Sequence, residues 1–153
     1  MRITTSLNYA TDPQTAATQA RELEAAGVDC IWIPEAYGFD AVSLLGYLAA
    51  STSTVELASG ILNTYSRTPA LLAQTAAGLD ALSGGRFTLG LGASGPQVIE
   101  GFHGMAYEKP LGRTLDEART ISAVCWRKGL TAAVNFQLRY APPFLALRDL
   151  LDS

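Results

Sequence analysis

The sequence is poor in the residues from which metal and disulfide sites are built. Its 153 residues include two cysteines, Cys30 and Cys125, and a single histidine. Two such cysteines form neither a zinc-type cluster nor a disulfide framework, and one histidine excludes a histidine-rich metal centre. We therefore expect no metal site, and we expect both thiols to be reduced and buried.

Basic stripes and long apolar runs are also missing. The formal net charge is −3 and no lysine or arginine stripe is present, so a surface for nucleic acid or an anionic membrane is not expected. The longest apolar stretch, residues 41–50, is too short to span a bilayer. Residues 1–6 do not resemble a secretory signal. These absences favour a cytoplasmic location.

What is present is a regular alternation of strand and helix signals, in a chain that is 48% hydrophobic and 16% charged, as in a globular domain. Strands are predicted at residues 2–8, 28–33, 55–62 and 86–92, and helices begin near Asp12-Pro13, Asp40, Thr68-Pro69 and Thr114. The strand starts lie about 26 to 32 residues apart, the size of a βαβ unit. Such units in succession predict a parallel α/β sheet with right-handed crossovers.

Two architectures fit this alternation, a doubly wound open sheet and part of a (β/α) barrel. On the third helix, the apolar spacing predicts that Leu72, Ala76, Leu79 and Leu82 face the core. The pattern weakens after Gly129.

Glycines and polar residues collect where the predicted strands end, at Asn8, Pro34-Glu35, residues 60–63 and residues 92–96. Parallel α/β folds gather function at the carboxyl ends of their strands. Glycines let the backbone approach a flat ring closely, and neighbouring N–H groups can hold a carbonyl or phosphate oxygen. The cluster predicts a ligand site at this edge.

Several of these residues have two interpretations. Glu35 is either a general acid or base or a carboxylate at a helix N-terminus. Asn63 either bonds the edge of a cofactor ring or caps a turn, and His103 is either functional or structural. Residues 90–95 match the dinucleotide pattern G-x-G-x-x-G, but they follow the fourth strand rather than the first, so we favour another ligand.

Four runs of sequence are more specific in combination: GILNTYSRTP at 60–69, AGLDALSGGRFTLGLG at 77–92, ASGP at 93–96 and EGFHG at 100–104. Together they resemble the luciferase-like monooxygenase superfamily, and more narrowly its deazaflavin-dependent oxidoreductase branch, which uses coenzyme F-420. The resemblance covers about residues 1 to 120.

This resemblance implies an α/β fold, a partial (β/α)8 TIM barrel of about four βα units with parallel strands ordered 1-2-3-4. The half barrel would cover residues 1–129, and residues 130–153 would form an irregular or divergent tail of the same domain. The implied coenzyme is F-420 (deazaflavin), with FMN as the alternative, and the chemistry is hydride transfer with an organic small-molecule substrate.

The resemblance also implies the site residues. Those at the coenzyme ring would be Gly60, Ile61, Asn63, Ser94, Gly95 and Pro96, with a non-prolyl cis peptide at Gly60-Ile61. Glu35 would be the catalytic residue, near the ring and the substrate, and His103 would lie on the substrate side.

The chain is shorter than the members of the family that it resembles. A full barrel needs about 250 residues, so we expect a truncated chain with two open parallel sheet edges. A homo-oligomer or a complementing chain would cover those edges. The alternatives are a non-catalytic remnant or assembly module with the same fold, and a doubly wound domain. A curved sheet ordered 1-2-3-4 would exclude the doubly wound domain.

Overall fold

The computed structural model describes residues 1–7 and 12–107, and both ranges lie within the compact unit Met1–Pro110. The predicted strand end at Asn8, the fourth helix from Thr114, Cys125 and the tail 130–153 lie outside the described residues. The predicted division of the chain at residue 129 therefore stays a prediction.

The described part alternates strands and helices as expected. The strands are β1 (Thr4–Ser6), β2 (Cys30–Ile33), β3 (Glu56–Ser59), β4 (Leu62–Asn63), β5 (Phe87–Thr88) and β6 (Leu91–Gly92). The helices are α1 (Pro13–Ala25), α2 (Ala41–Ser51) and α3 (Pro69–Ser83). A six-residue π-helix, Gln97–Phe102, follows β6.

All described strand pairs are parallel and follow chain order. One sheet has the order β1-β2-β3-β5, and β4 pairs with β6 in a second, two-stranded sheet. Because β3 and β4 are two parts of the predicted third strand, and β5 and β6 two parts of the fourth, the predicted order 1-2-3-4 is confirmed. This order is that of a partial (β/α) barrel, and it excludes the doubly wound arrangement.

The third and fourth strands are each divided, which the sequence did not predict. Ser59 Oγ donates to Gly90 O at 2.9 Å and accepts from Gly90 N at 2.8 Å. This side chain therefore takes the place of the backbone ladder at the end of β3. The ladder resumes beyond the Gly60-Ile61 peptide, which is cis, where Leu62 N donates to Gly90 O at 2.8 Å.

Local capping signals position the helices. Asp12, Asp40 and Thr68 are the N-caps of the three helices, and each side chain accepts a hydrogen bond from a backbone N–H of the first turn. Helix α3 ends at Gly84, which takes the left-handed conformation with φ of 68°. The predicted helix starts at these three caps are confirmed.

The core lies between the helices and one face of the sheet. It is formed chiefly by Ile31, Ile33, Leu45, Leu48, Leu57, Leu72 and Leu79. The prediction for Leu82 is wrong, since 67% of this residue is exposed. The next residue, Ser83, is buried instead, and its hydroxyl is satisfied because it donates to Asp80 O and accepts from Arg86 N.

Glu24, near the end of α1, holds the loop that precedes β3. Its Oε1 accepts from the backbone N–H groups of Ser53 at 2.8 Å, Thr54 at 2.5 Å and Val55 at 2.9 Å. Burial raises the pKa of the Glu24 carboxyl, but the hydrogen bonds from Thr54, Val55 and Ser53 outweigh it and lower the pKa from 4.5 to about 2. The folded chain thus favours the ionised carboxylate.

Replacing Glu24 by glutamine is expected to lower the free energy of unfolding at pH 7 by about 1–2 kcal/mol, because hydrogen bonds to a charged acceptor become bonds to a neutral one. Since the folded pKa is depressed, this stabilisation is complete above the unfolded pKa of 4.5 and is lost as the pH falls toward about 2. Urea unfolding of both proteins at pH 7 and pH 3 checks the prediction. A difference between the two proteins that is as large at pH 3 as at pH 7 would contradict it.

Candidate functional site at the carboxyl edge of the sheet

The candidate site lies where β2, β4 and β6 end. The loops that follow these strands are residues 34–40, residues 64–68 and residues 93–96. Asn63 and Gly92 are paired across β4 and β6, so the last two of these loops start side by side. The structure therefore brings together the two segments from which the sequence predicted a ring site.

Asn63, the last residue of β4, is 2% exposed. Its Oδ1 accepts from Tyr65 N at 2.8 Å, so the predicted turn cap is present. Its Nδ2 is buried and has no hydrogen-bond partner among the described residues. A buried donor without a partner costs about 1–3 kcal/mol. An acceptor on a ligand would satisfy Nδ2, so the structure is compatible with both interpretations of Asn63.

The glycines beside Asn63 leave room for neighbouring side chains. A Cβ atom on Gly92 would lie 2.9 Å from Ile61 Cγ1, and one on Gly60 would lie 3.3 Å from Trp32 Cε3. Ile61 therefore packs directly over the backbone of β6. The expected non-prolyl cis peptide at Gly60-Ile61 is confirmed.

The segment after β6 turns sharply into the π-helix. Ser94 has a φ of 58°, and Pro96 precedes the first residue of the π-helix. Gly95 O accepts from Val98 N at 3.0 Å. A Cβ atom on Gly95 would meet Gln97 Oε1 at 3.0 Å, which is the far end of a flexible side chain. Gly95 thus has space beside it that a larger residue would occupy.

Tyr65, in the loop after β4, contacts Tyr107, which follows the π-helix. The rings of Tyr65 and Tyr107 are stacked with their centroids 5.6 Å apart. Tyr107 Oη also donates to Ser94 O at 3.3 Å. These contacts hold the Ser94–Pro96 segment close to the end of β4, and the sequence motifs gave no indication of them.

His103 lies in an exposed aromatic group. The ring centroids of His103 and Phe102 are 5.1 Å apart, and those of Phe102 and Tyr37 are 5.6 Å apart; both pairs are T-shaped. Tyr37 comes from the loop after β2 and Phe102 ends the π-helix, so this contact connects that loop with the π-helix. The substrate-side role of His103 stays a prediction.

Glu35 forms a two-pronged ion pair with Arg67. Glu35 Oε2 lies 2.6 Å from Arg67 Nη1, and Oε1 lies 2.7 Å from Nη2. Oε1 also accepts from Ala41 N, at the start of α2, at 3.1 Å. The hydrogen bond from Arg67 to Glu35 raises the pKa of the guanidinium above its ordinary value. The helix N-terminal contact considered for Glu35 is present, and its catalytic role stays a prediction.

Cys30 lies in β2 and is 2% exposed, so the prediction that it is buried is confirmed. Burial raises the pKa of its thiol to about 11, with a smaller contribution from the charge of Glu56.

Within residues 1–7 and 12–107, no group of three or more histidine, cysteine, aspartate or glutamate side chains is arranged to hold a metal ion. In the same part of the chain, no helix has the length and apolarity to cross a membrane.

The described residues form part of a parallel (β/α) barrel, with polar and glycine residues at its carboxyl edge. The sequence model of the luciferase-like monooxygenases matches residues 1–148, and the chain belongs to this family.

Two curated proteins of similar sequence are more specific than the family model. A protein of Mycobacterium tuberculosis named as a coenzyme F-420-dependent oxidoreductase is 43% identical over 116 residues, which are 74% of this chain and 33% of the relative. The 5,10-methylenetetrahydromethanopterin reductase of Methanolobus tindarius is 36% identical over 106 residues, which are 69% of this chain and 32% of the relative. The chain therefore spans about a third of the length of these relatives.

Solved structures show the same fold. The coenzyme F-420-dependent tetrahydromethanopterin reductase from Methanopyrus kandleri matches with a TM-score of 0.68 at 23% identity, over 82% of this chain and 39% of that one. The oxygenating constituent of 3,6-diketocamphane monooxygenase from Pseudomonas putida, in complex with FMN, matches with a TM-score of 0.62 at 20% identity, over 81% and 38%. At these identities the likeness establishes the fold alone.

Proposed function

We propose that this chain supplies the ring-binding part of a luciferase-like oxidoreductase that uses coenzyme F-420, with FMN as the alternative. The observation that carries the proposal is the buried Asn63 Nδ2, which has no partner among the described residues. When bound, the coenzyme supplies hydride transfer to or from an organic small-molecule substrate. The names of the relatives, one of them 43% identical, favour F-420 over FMN.

The chain's own residues would bind and orient the ring. Asn63 would donate from Nδ2 to an acceptor atom of the coenzyme. Ile61 would offer apolar surface, and Gly95 would allow a planar group to approach the backbone. Ser94 and Pro96 would shape the same segment. The site would exclude water from the ring and would do little covalent work itself.

Closure of the site belongs to the proposal as well. The outer edge of β1 has no strand beside it in the described part of the chain. We propose that this edge contacts a second copy of the chain or a complementing polypeptide. A non-catalytic remnant or assembly module with the same fold is the competing function.

A fluorescence titration with coenzyme F-420, with FMN as comparator, separates these functions. Saturable binding, micromolar or tighter, is expected for a ring site. A chain that is folded by circular dichroism and binds neither coenzyme would favour the non-catalytic module.

Replacing Asn63 by aspartate is expected to weaken coenzyme binding by at least about tenfold, because it exchanges the donor Nδ2 for an acceptor. Aspartate keeps the oxygen that accepts from Tyr65 N, so the turn is retained. The dissociation constant measured by the same titration checks this. Gln74→Ala, at an exposed position of α3, is the matched control. Equal affinities of the Asn63→Asp variant and the parent would refute the assignment of Nδ2.

Gly95 offers a second test of the same site. Gly95→Leu is expected to abolish coenzyme binding while the far-ultraviolet circular dichroism is unchanged, since Gln97 Oε1 is the nearest atom to the new Cβ and can move. Full affinity in this variant would place the ring elsewhere.

A further inference from the structure

We infer that Glu35 acts through Arg67 as a positioning residue for Asn63, the proposed coenzyme donor. The inference rests on the proposed function, because it concerns how that donor is held. Glu35 and Arg67 come from the loops after β2 and β4, and each side chain is 13% exposed.

The first step is the link from Arg67 to Asn63. Arg67 Nη1 donates to Ser66 Oγ at 3.3 Å, and Ser66 Oγ donates to Asn63 O at 3.2 Å. Tyr65 N donates to Asn63 Oδ1 at 2.8 Å. The main-chain oxygen and the side-chain oxygen of Asn63 are thus both held by the short segment that ends at Arg67, and the position of the guanidinium sets the shape of that segment.

The second step is the anchor of Arg67. Glu35 binds both terminal nitrogens of the guanidinium, a geometry that fixes direction as well as distance. Its Oε1 is itself held by the N–H of Ala41, which is 1% exposed and starts α2. Glu35 therefore fixes the loop after β4 relative to the first residue of helix α2.

The third step concerns the chemistry of Glu35. Oε1 accepts from Arg67 Nη2 and Ala41 N, and Oε2 accepts from Arg67 Nη1. A proton on either carboxylate oxygen would break one of the two hydrogen bonds with Arg67. A general acid or base at this position would therefore have to separate from Arg67 during the reaction. Replacing both partners of such an ion pair often changes stability little, whereas removing one partner leaves the other charge unpaired. Thermal unfolding of each variant therefore has to accompany the measurement of coenzyme affinity.

A double-mutant cycle tests this inference in the intact chain. The dissociation constant of coenzyme F-420 is measured for the parent, Glu35→Gln, Arg67→Gln and the double variant, with thermal unfolding of each. Each single variant is expected to bind about tenfold more weakly, and the double variant no more weakly than either single one, since residues of one network are strongly coupled. Arg67→Lys, which keeps the charge but not the two-pronged geometry, should recover affinity only in part.

Glu24→Gln is the matched control, because it destabilises the chain at a site away from the carboxyl edge. It should bind the coenzyme with parental affinity although its unfolding temperature is lowered. If the Glu35 and Arg67 variants behave like Glu24→Gln while Asn63→Asp loses binding, the positioning role is overturned and the proposed function stands. If the losses at Glu35 and Arg67 are additive, Glu35 does not act through Arg67. Parental affinity in Asn63→Asp refutes the assignment of Nδ2 and overturns the positioning role with it, whereas a folded parent chain that binds neither coenzyme overturns the proposed function.

Discussion

Replacing Gly90 by alanine is expected to lower the free energy of unfolding by more than about 3 kcal/mol, at the upper end of single-residue effects. A Cβ atom at this position would lie 2.0 Å from Ser59 O and 3.2 Å from Ser59 C. These are backbone atoms, so no side-chain rotation relieves the overlap. The reciprocal hydrogen bonds between Ser59 Oγ and the backbone of Gly90 would be broken as the strands separate.

Urea unfolding followed by circular dichroism measures this effect. Gly78→Ala in α3 is the matched control, since a Cβ there meets no atom within 4 Å. In a helix interior alanine is favoured over glycine by about 1 kcal/mol, so the control is expected to gain stability. A Gly90→Ala variant as stable as the parent would show that the β3 and β5 backbones separate without cost.

The succession of strands and helices could be predicted because its signals are local. Asp12-Pro13 and Thr68-Pro69 mark helix starts by capping chemistry alone, and both are N-caps in the structure. The division of the third strand could not be predicted, since it depends on a hydrogen bond between Ser59 and Gly90, which are 31 positions apart. Helical spacing placed Leu72 and Leu79 correctly but could not place the limit of the buried face, so Leu82 was assigned wrongly.

The candidate site could be predicted in outline for a related reason. Parallel strands bring their carboxyl ends to one edge, so Asn63 and the glycines after the fourth strand had to lie near one another. The partner of Glu35 was missed. Arg67 lies four positions after Asn63, at the same predicted edge as Glu35, but its ion pair joins residues 32 positions apart. The sequence therefore left the two interpretations of Glu35 open, and the structure adds the contact that the double-mutant cycle tests.

Replacing Arg86 by alanine is expected to cost about 3–5 kcal/mol, because one guanidinium serves the carboxyl ends of two helices. Its nitrogens donate to the carbonyl oxygens of Ala49, Thr52, Val55 and Ser83 and to the Thr52 hydroxyl. Carbonyl groups in the last turn of a helix have no partner within the helix, and a cation there is also favoured by the helix dipole. Removing the guanidinium leaves these oxygens unsatisfied in a partly buried place.

Arg86→Lys distinguishes the geometry of the group from its charge. An ammonium keeps the charge beside the helix ends but cannot reach carbonyls of α2 and α3 together, so a loss of about 2–3 kcal/mol is expected. Arg21→Ala is the matched control, since the Arg21 guanidinium contacts the exposed Thr18 Oγ1 at 3.2 Å and its removal should change stability by less than about 0.5 kcal/mol. Urea unfolding of the three variants ranks them. If Arg86→Lys is as stable as the parent, charge alone holds the two helix ends. If its free energy of unfolding is close to that of Arg86→Ala, the planar guanidinium with its several donors is what joins α2 and α3 to the start of β3.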